Sequence, residues 1–230
     1  VEWDELVGSC RVQARGLILG GCDLLLVETS QDTLNVKAAL SAIMDVRTDL
    51  SSSIPVAVQC TIEPMGTMLG GQDIEAFYAS IEHFDLLWIG MNCATGPEFM
   101  RDHIRTLANI SRFPVAVIPN AGLPDEDGNY NETPIHLAAT LENYAEAGWV
   151  NVLGGCCGTV PEHIGLLSEI PERTITRSWV ASTLSTVSGL EAFTIDDDTR
   201  PVIVGERTNV LGSRKFRNLI AKGHIDEAAE

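Results

Sequence analysis

Residues 55–92 read PVAVQCTIEPMGTMLGGQDIEAFYASIEHFDLLWIGMN, and the order of patterns in this stretch decides the fold. The stretch begins with a short, nearly continuous apolar run, passes through a helical pattern at 72–83 and ends in a second apolar run at 85–92. Short continuous apolar runs are typical of parallel strands that are buried on both faces. The stretch therefore predicts one strand–helix–strand unit.

The same alternation continues on both sides of this unit. Apolar runs predict five strands, at residues 23–28, 55–60, 85–92, 114–120 and 150–154. Helical patterns predict five helices, at residues 32–47, 72–83, 97–109, 133–147 and 161–170. Strands that alternate with helices in this way are typical of an α/β protein with a parallel sheet.

Each predicted strand ends in a polar or sulfur-bearing residue: Glu28, Gln59, Asn92 with Cys93, Asn120, and Cys156 with Cys157. A (βα)8 TIM-type barrel displays functional residues at every strand's carboxyl end, because all its βα loops meet at one mouth. A doubly wound sheet would concentrate them at one switch point instead. A whole barrel needs about 250 residues. We therefore predict that residues 1–170 are only the C-terminal half of a barrel, with the first strands upstream of Val1.

The pattern changes after residue 170. Residues 171–200 are rich in Ser, Thr and Asp and lack a helical stripe, so they are predicted to be an inter-domain linker. A new apolar run at 201–205 and a helical pattern near 213–222 predict the first strand and helix of a second, truncated domain at 201–230.

Composition limits the partners and the compartment. The chain has 15 Lys+Arg and 32 Asp+Glu, a formal charge of −17, so we expect no nucleic-acid partner. No apolar run approaches the ~18–20 residues that span a bilayer, so we expect no membrane partner. The start of the chain shows no secretory signal, and six sparse cysteines do not resemble a disulfide framework. We therefore expect a cytoplasmic protein.

The adjacent pair Cys156 and Cys157 predicts a metal site. A disulfide between neighbouring residues is strained, whereas Zn²⁺ accepts thiolates and, in catalytic sites, takes three protein ligands and leaves one position open. The third thiolate should come from another strand end, either Cys93 or its rival Cys60. A purely structural zinc site with four protein ligands is the alternative. Cys10, Cys22 and Cys60 are otherwise predicted to be small buried apolar residues.

Four motifs carry a resemblance to a known family. They are LLLVETSQDTLNVKAAL at 24–40, GMNCATGP at 90–97, PNAGLP at 119–124 and GGCCGT at 154–159. Together they resemble the homocysteine-binding domain of homocysteine S-methyltransferases. The segments SGLEAF at 188–193 and VIVGERTNVLGSRKF at 202–216 resemble a linker and the start of a pterin-binding α/β barrel. That order of modules is similar to the cobalamin-dependent methionine synthases.

The resemblance implies both a ligand set and a reaction. It implies that Cys93, Cys156 and Cys157 bind Zn²⁺, and that the homocysteine sulfur takes the fourth position. The thiolate would attack the methyl group of methylcobalamin, held by a module outside this chain, with methyltetrahydrofolate as methyl donor and methionine as product. The resemblance further implies substrate contacts from Glu28, Asn120, Thr29 and Asn92, and pterin contacts from Glu206 and Asn209.

Two further expectations concern the chain as it stands. A stand-alone homocysteine methyltransferase that uses betaine or S-methylmethionine is the alternative, and the GERTN segment at 205–209 argues against it. Half a barrel leaves strand edges unpaired. We therefore expect this chain to be inactive without the remaining modules, and to associate in isolation.

Overall fold

The computed structural model describes residues 1–172, 174, 176–178, 184–205 and 208–229. These residues form two compact units, Val1–Thr194 and Ile195–Glu230, and each is described by itself. No helix among them has the length and apolar character needed to cross a membrane.

The first unit is built on a parallel five-stranded sheet. Its strands are β1 (Leu25–Ser30), β2 (Val56–Cys60), β3 (Ile89–Asn92), β4 (Val115–Ile118) and β5 (Val152–Leu153). All five strands predicted from the sequence are confirmed, and they lie side by side in chain order. This order is consistent with part of a TIM-like barrel and shows no switch point. The described strands do not close into a barrel, since β1 and β5 are the edges of the sheet.

One helix precedes the sheet, four connect its successive strands and one follows it. They are α1 (Trp3–Leu19), α2 (Thr33–Leu50), α3 (Ile74–Ile81), α4 (Pro97–Ile110), α5 (Pro134–Glu146) and α6 (Pro161–Leu167). The five predicted helices are confirmed within a few residues at each end. The sequence analysis missed α1, whose pattern is interrupted by Gly8 and Gly16. This helix packs on α2, where Arg11 pairs with Asp45 at 2.8 Å and Asp49 at 2.9 Å.

Local signals fix where these helices begin. The Asp32 carboxylate accepts hydrogen bonds from the Leu34 and Asn35 amides at 2.8 and 3.1 Å, so it caps α2. The Thr133 hydroxyl caps α5 by accepting from the His136 amide at 3.2 Å. Prolines stand in the first turns of α4, α5 and α6, where their missing N–H is not needed. The loops after β3, β4 and β5 therefore end at defined points.

The two faces of the sheet have different compositions. Side chains of Val58, Ile89, Met91, Val115 and Val117 belong to the apolar core that the helices cover. Because successive side chains point to opposite faces, the alternate residues face the other side of the sheet. On that face Gln59 pairs in register with Gly90, and Gly90 with Ala116. Only glycine fits between them, since a Cβ at position 90 would lie 2.3 Å from the Ala116 carbonyl oxygen.

The segment predicted as a linker contains ordered structure. Strands β6 (Ser185–Ser188) and β7 (Ala192–Ile195) form a two-stranded sheet, and β6 contacts α3. Arg177 is buried, and its guanidinium donates to the carbonyl oxygens of Phe113, Ala108 and Ser111 at 3.0, 2.6 and 2.8 Å. The boundaries at 170 and 200 stay predictions. The structure adds that the described residues of this segment up to Thr194 belong to the first unit.

The described part of the second unit contains two helices. Helices α7 (Arg214–Ala221) and α8 (Ile225–Ala229) follow one another, and α7 confirms the helix predicted near 213–222. The strand predicted at 201–205 is wrong, because these residues are not in a strand. A parallel strand is defined by hydrogen bonds to a neighbour, and the residues described after Ile195 offer none. The second α/β barrel expected from the resemblance is therefore not seen.

Candidate metal centre

The structure brings three sulfur atoms together at the carboxyl ends of two strands. Cys93 follows β3, and Cys156 and Cys157 follow β5. The Sγ of Cys157 lies 3.7 Å from that of Cys93 and 3.9 Å from that of Cys156. All three sulfurs lie within 4.8 Å of one another. Within the described residues, this is the one cluster of His, Cys, Asp or Glu side chains that could hold a metal ion.

The distances between sulfurs fit a tetrahedral thiolate site. Zn–S bonds of about 2.3 Å at tetrahedral angles place neighbouring sulfurs about 3.8 Å apart. The distances of 3.7 and 3.9 Å agree with that value, and all six cysteines are free thiols. The cluster could therefore bind a metal such as zinc.

The rival ligand Cys60 lies elsewhere. Its side chain is fully buried in the apolar core between sheet and helices, and burial raises the pKa of its thiol far above the usual range. A thiol held neutral among apolar side chains is a poor metal ligand. Its position agrees with a small buried apolar role.

An unusual backbone presents Cys93. Cys93 and Ala94 both have positive φ angles, 63° and 58°, in the left-handed region that side chains with a Cβ rarely adopt. Such residues cost of order 1–3 kcal/mol each and persist only where their surroundings hold them. Here the Cys93 amide donates to the Ile118 carbonyl oxygen at 3.2 Å, and the Thr95 amide donates to the Cys93 carbonyl oxygen at 2.7 Å.

The end of β4 holds the backbone of the vicinal pair. The Cys156 amide donates to the Pro119 carbonyl oxygen at 2.7 Å, and the Ala121 amide donates to the Cys157 carbonyl oxygen at 2.8 Å. The Asn120 side-chain oxygen accepts from the Cys157 amide at 3.1 Å. Asn120 thus lies next to the sulfur cluster, and its amide oxygen orients Cys157.

Asn92 connects the cluster to β1. Its side-chain oxygen accepts from the Thr29 amide at 2.9 Å, and its NH₂ group donates to the Thr29 hydroxyl at 2.9 Å. The same NH₂ group lies 3.9 Å from the Cys156 Sγ. Asn92 is fully buried, and Thr61 donates to its carbonyl oxygen at 3.0 Å. The side chain is therefore fixed between Thr29 and Cys156.

The other predicted site residues are Glu28, Glu206 and Asn209. Glu28 is exposed on β1, and no described hydrogen bond links its carboxylate to the cysteines. Glu206 lies outside the described residues. Asn209 caps a local turn, where its side-chain oxygen accepts from the Leu211 and Gly212 amides at 2.8 and 3.2 Å. The roles predicted for Glu28, Glu206 and Asn209 stay predictions.

The sequence analysis gave no role to two further residues. Gln59 is fully buried, and neither polar atom of its side chain has a hydrogen-bond partner among the described residues. In the sequence, the signal that could have indicated a role for Gln59 was its place at the end of β2. Tyr130, in the loop between β4 and α5, lies against Gly158, the residue after Cys157. No sequence pattern indicated that contact.

The electrostatics of the cluster favour a bound cation. Burial, and after it the charges of Cys93 and Cys157, raises the pKa of Cys156 to about 11. Without a cation this thiol is protonated at neutral pH. Coordination to a dication reverses the balance, because the thiolate becomes the stabilised form.

Comparison with known proteins identifies the family. A sequence model of the family described as homocysteine S-methyltransferase matches residues 1–170. The chain belongs to the homocysteine S-methyltransferase family. This membership agrees with the resemblance that the four motifs carry.

Two solved structures of another protein have a fold similar to that of this chain. The apo form of the homocysteine methyltransferase MmuM from Escherichia coli matches with a TM-score of 0.58 and 20% identity, over 74% of this chain and 57% of that chain. The metallated form matches with a TM-score of 0.55 and 21% identity, over 70% and 51%. The chain thus spans about half the length of MmuM.

Proposed function

We propose that this chain is part of a zinc-dependent homocysteine S-methyltransferase of the cobalamin-dependent methionine synthase type. The observation that carries the proposal is the cluster of three sulfurs within 4.8 Å of one another, in which the Cys157 sulfur lies 3.7 and 3.9 Å from the other two. Three protein ligands would leave the fourth position of a tetrahedral metal for a substrate thiol. Zinc bound there would supply the positive charge that lets the homocysteine thiol lose its proton at neutral pH.

The protein's own residues hold the ligands in place. Asn92 fixes Cys156 from the side of β1, and Asn120 fixes the backbone of Cys157. Cys93, Cys156 and Cys157 together place three negative charges around the metal, so a fourth thiolate stays electron-rich and nucleophilic. Glu28 would hold the substrate's ammonium group, and Thr29 would shape the same pocket.

The finer part of the proposal concerns the methyl donor. The segments at 188–193 and 202–216 resemble the linker and the start of a pterin-binding module, which favours methylcobalamin as donor and methyltetrahydrofolate as its source. Glu206 and Asn209 would then contact the pterin. The remaining modules of such a protein would be this chain's partners. Six free cysteines agree with a reducing cytoplasm.

Two other functions compete with this one. A cobalamin-independent homocysteine methyltransferase that uses betaine or S-methylmethionine is the second candidate, because membership of the family does not specify the methyl donor. A structural zinc scaffold is the third, but it needs a fourth protein ligand, and the cluster in the described residues has three.

Metal analysis of the chain tests the ligand set. We expect one equivalent of zinc in the unmodified chain and a large loss in Cys156→Ala and Cys93→Ala. Cys10→Ala is the matched control, because it removes a thiol away from the cluster. Zinc content that Cys156→Ala leaves unchanged would refute the proposal.

A cobalt-substituted chain tests the open position. Adding homocysteine should change the visible spectrum of bound Co²⁺, since a fourth sulfur would join the metal. A spectrum that does not respond would favour a closed structural site. Methyl transfer by a protein containing all modules, with methylcobalamin or with S-methylmethionine, separates the two enzymatic candidates.

A further inference from the structure

Five segments of the first unit form a face at the carboxyl ends of the strands, called here the carboxyl-end face. Each segment runs from the end of a strand through the first turn of the next helix, and they comprise residues 31–36, 61–77, 93–100, 119–137 and 154–164. Parallel strands that alternate with helices bring such segments to the same edge of a sheet. The three clustered thiols, which follow β3 and β5, belong to this face.

Hydrogen bonds join neighbouring segments of the carboxyl-end face. The Gly70 amide donates to the Gln31 carbonyl oxygen at 2.8 Å, and the Thr61 hydroxyl donates to the last carbonyl oxygen of β3 at 3.0 Å. The Asn120 amide donates to the Thr95 carbonyl oxygen at 3.1 Å, and the segments after β4 and β5 are joined through the vicinal cysteines. The face is therefore formed in advance, so a partner would not have to order its loops on binding.

Exposed large apolar side chains are concentrated on this face. Between residues 31 and 167, all of which the structure describes, nine such side chains are exposed, and eight of them belong to the five segments. The side chains of Ile135 and Met65 are 75% and 74% exposed, and that of Phe99 is 59% exposed. The ninth, Leu87, precedes β3 at the opposite end of the strands. Apolar side chains gathered on one face are typical of an interaction site.

The carboxyl-end face is also strongly acidic. Its five segments contain ten Asp and Glu residues and no Lys or Arg. The segments at the amino ends of the same strands contain three acidic residues and one Arg, and they comprise residues 20–24, 51–55, 82–88, 111–114 and 147–151. Among the described residues, the one ion pair made by an acid of the carboxyl-end face is that of Glu132 with His136. Most of this negative charge is therefore available to a partner.

We propose that the carboxyl-end face is a docking surface for a protein module outside this chain, which presents Lys and Arg side chains around an apolar patch. The exposed apolar side chains would supply the contact area, and the acids would pair with basic side chains at its rim. The identity of the occupant as the module that carries the methyl donor rests on the proposed function, because the clustered thiols lie on this face.

Charge and size favour this occupant over the others. A second copy of this chain would bring an equally acidic face and a further formal charge of −17, and like charges oppose each other. An anionic lipid surface is disfavoured for the same reason. A free methyl donor is too small, because the apolar side chains extend from the segment after β1 to that after β5, about 19 Å across four strand spacings.

Photocrosslinking in a protein that contains all modules tests the docking surface. The photoreactive amino acid p-benzoylphenylalanine is placed at position 99 or 135, and mass spectrometry identifies the peptides joined on irradiation. We expect crosslinks to a Lys- and Arg-bearing segment outside residues 1–230. Their yield should fall about tenfold between about 0.05 and 0.5 M NaCl, because salt screens the charges that attract the module. Position 87 is the matched control, since Leu87 is exposed at the opposite end of the strands.

Three results of this experiment would overturn the docking surface. The first is a yield at positions 99 and 135 no higher than at position 87. The second is a set of crosslinks that join two copies at these positions, because the occupant would then be a second copy. The third is a yield that salt does not change, because the acidic residues would then not contribute to docking.

A pair of substitutions separates docking from the metal centre. In the same protein, Phe99→Ser should lower the rate of methyl transfer from methylcobalamin about tenfold, the factor for one well-packed interface side chain. It should leave the response of bound Co²⁺ to homocysteine unchanged, and Leu87→Ser should change neither. Unchanged methyl transfer in Phe99→Ser would overturn the docking role of this side chain.

The outcomes also distinguish the docking surface from the proposed function. A protein that binds Co²⁺ and responds to homocysteine, but gives no crosslinks to another module, overturns the docking surface and leaves the proposed function intact. A protein that binds no Co²⁺ but gives salt-dependent crosslinks from positions 99 and 135 overturns the proposed function and supports the docking surface.

Discussion

Replacing Asn92 by Leu should weaken both the fold and the metal site, because Asn92 holds the end of β1 against the cluster. The substitution keeps a similar volume at a fully buried position and removes two hydrogen bonds of 2.9 Å to Thr29. Each such bond contributes about 1 kcal/mol net, so we expect the free energy of unfolding to fall by about 2 kcal/mol. With a urea m-value of about 2 kcal/mol/M, the midpoint moves down by about 1 M.

The assay is urea unfolding followed by circular dichroism, with and without zinc. Zinc binds the folded form, so its stabilising effect is a measure of affinity. It should be smaller in Asn92→Leu, since the NH₂ group 3.9 Å from the Cys156 sulfur is gone. Asn35→Ala is the control, because the Asn35 side chain is exposed on α2. A midpoint within 0.2 M of wild type, on the scale of about 1 M expected from the bonds lost, would contradict the reasoning.

Three further predictions follow from single features of the structure. Gly158→Ala should lower both the free energy of unfolding and the metal content, because residue 158 has φ +78° and an added Cβ would meet the Tyr130 ring. Metal analysis tests this, and Gly165→Ala is the control, because the space around Gly165 is open. In the metal-free chain, the raised pKa of Cys156 contributes stability that is present below about pH 9 and is lost as the pH rises through about 11. Urea unfolding midpoints, measured with EDTA across this pH range, should therefore fall more in the wild type than in Cys156→Ala. Gln59→Met should raise the free energy of unfolding by about 1–3 kcal/mol, because it removes a buried amide that has no hydrogen-bond partner among the described residues. A lower urea midpoint in this variant would show that the Gln59 amide does have hydrogen-bond partners.

The sequence predicts the strands of the sheet well, because a strand that is buried on both faces appears in the sequence as a short run of apolar residues. A run such as VAVQC at β2 is apolar almost throughout, and it is bounded by residues that end a strand. The apolar run at 201–205 has the same local pattern and forms no strand. The difference lies outside the run itself, since a strand also needs a neighbour with which to pair.

The sequence pattern predicted the adjacent pair Cys156 and Cys157, left the third thiol open between Cys93 and Cys60, and did not predict the residues that support them. Adjacent cysteines at a strand end are rare enough to indicate a thiolate site from the sequence alone. The contact of Tyr130 with Gly158 depends on how a long loop folds back, which no periodicity encodes. The pairing of Asn92 with Thr29, 63 positions apart, likewise depends on the register between strands.

Strand β4, which lies between β3 and β5, explains how the three cysteine sulfurs come close together. Neighbouring strands lie about 4.8 Å apart, so the ends of β3 and β5 are separated by about 10 Å, whereas ligands of one zinc ion must come within about 4 Å. The loops after β3 and β5 close this gap because both form hydrogen bonds to the end of β4, one from each side. The Cys93 amide donates to the Ile118 carbonyl oxygen, and the Cys156 amide donates to the next one, that of Pro119. Because β4 and the residues after it supply carbonyl oxygens and the Asn120 amide instead of a ligand, their hydrogen bonds hold the backbones of Cys93, Cys156 and Cys157 close together.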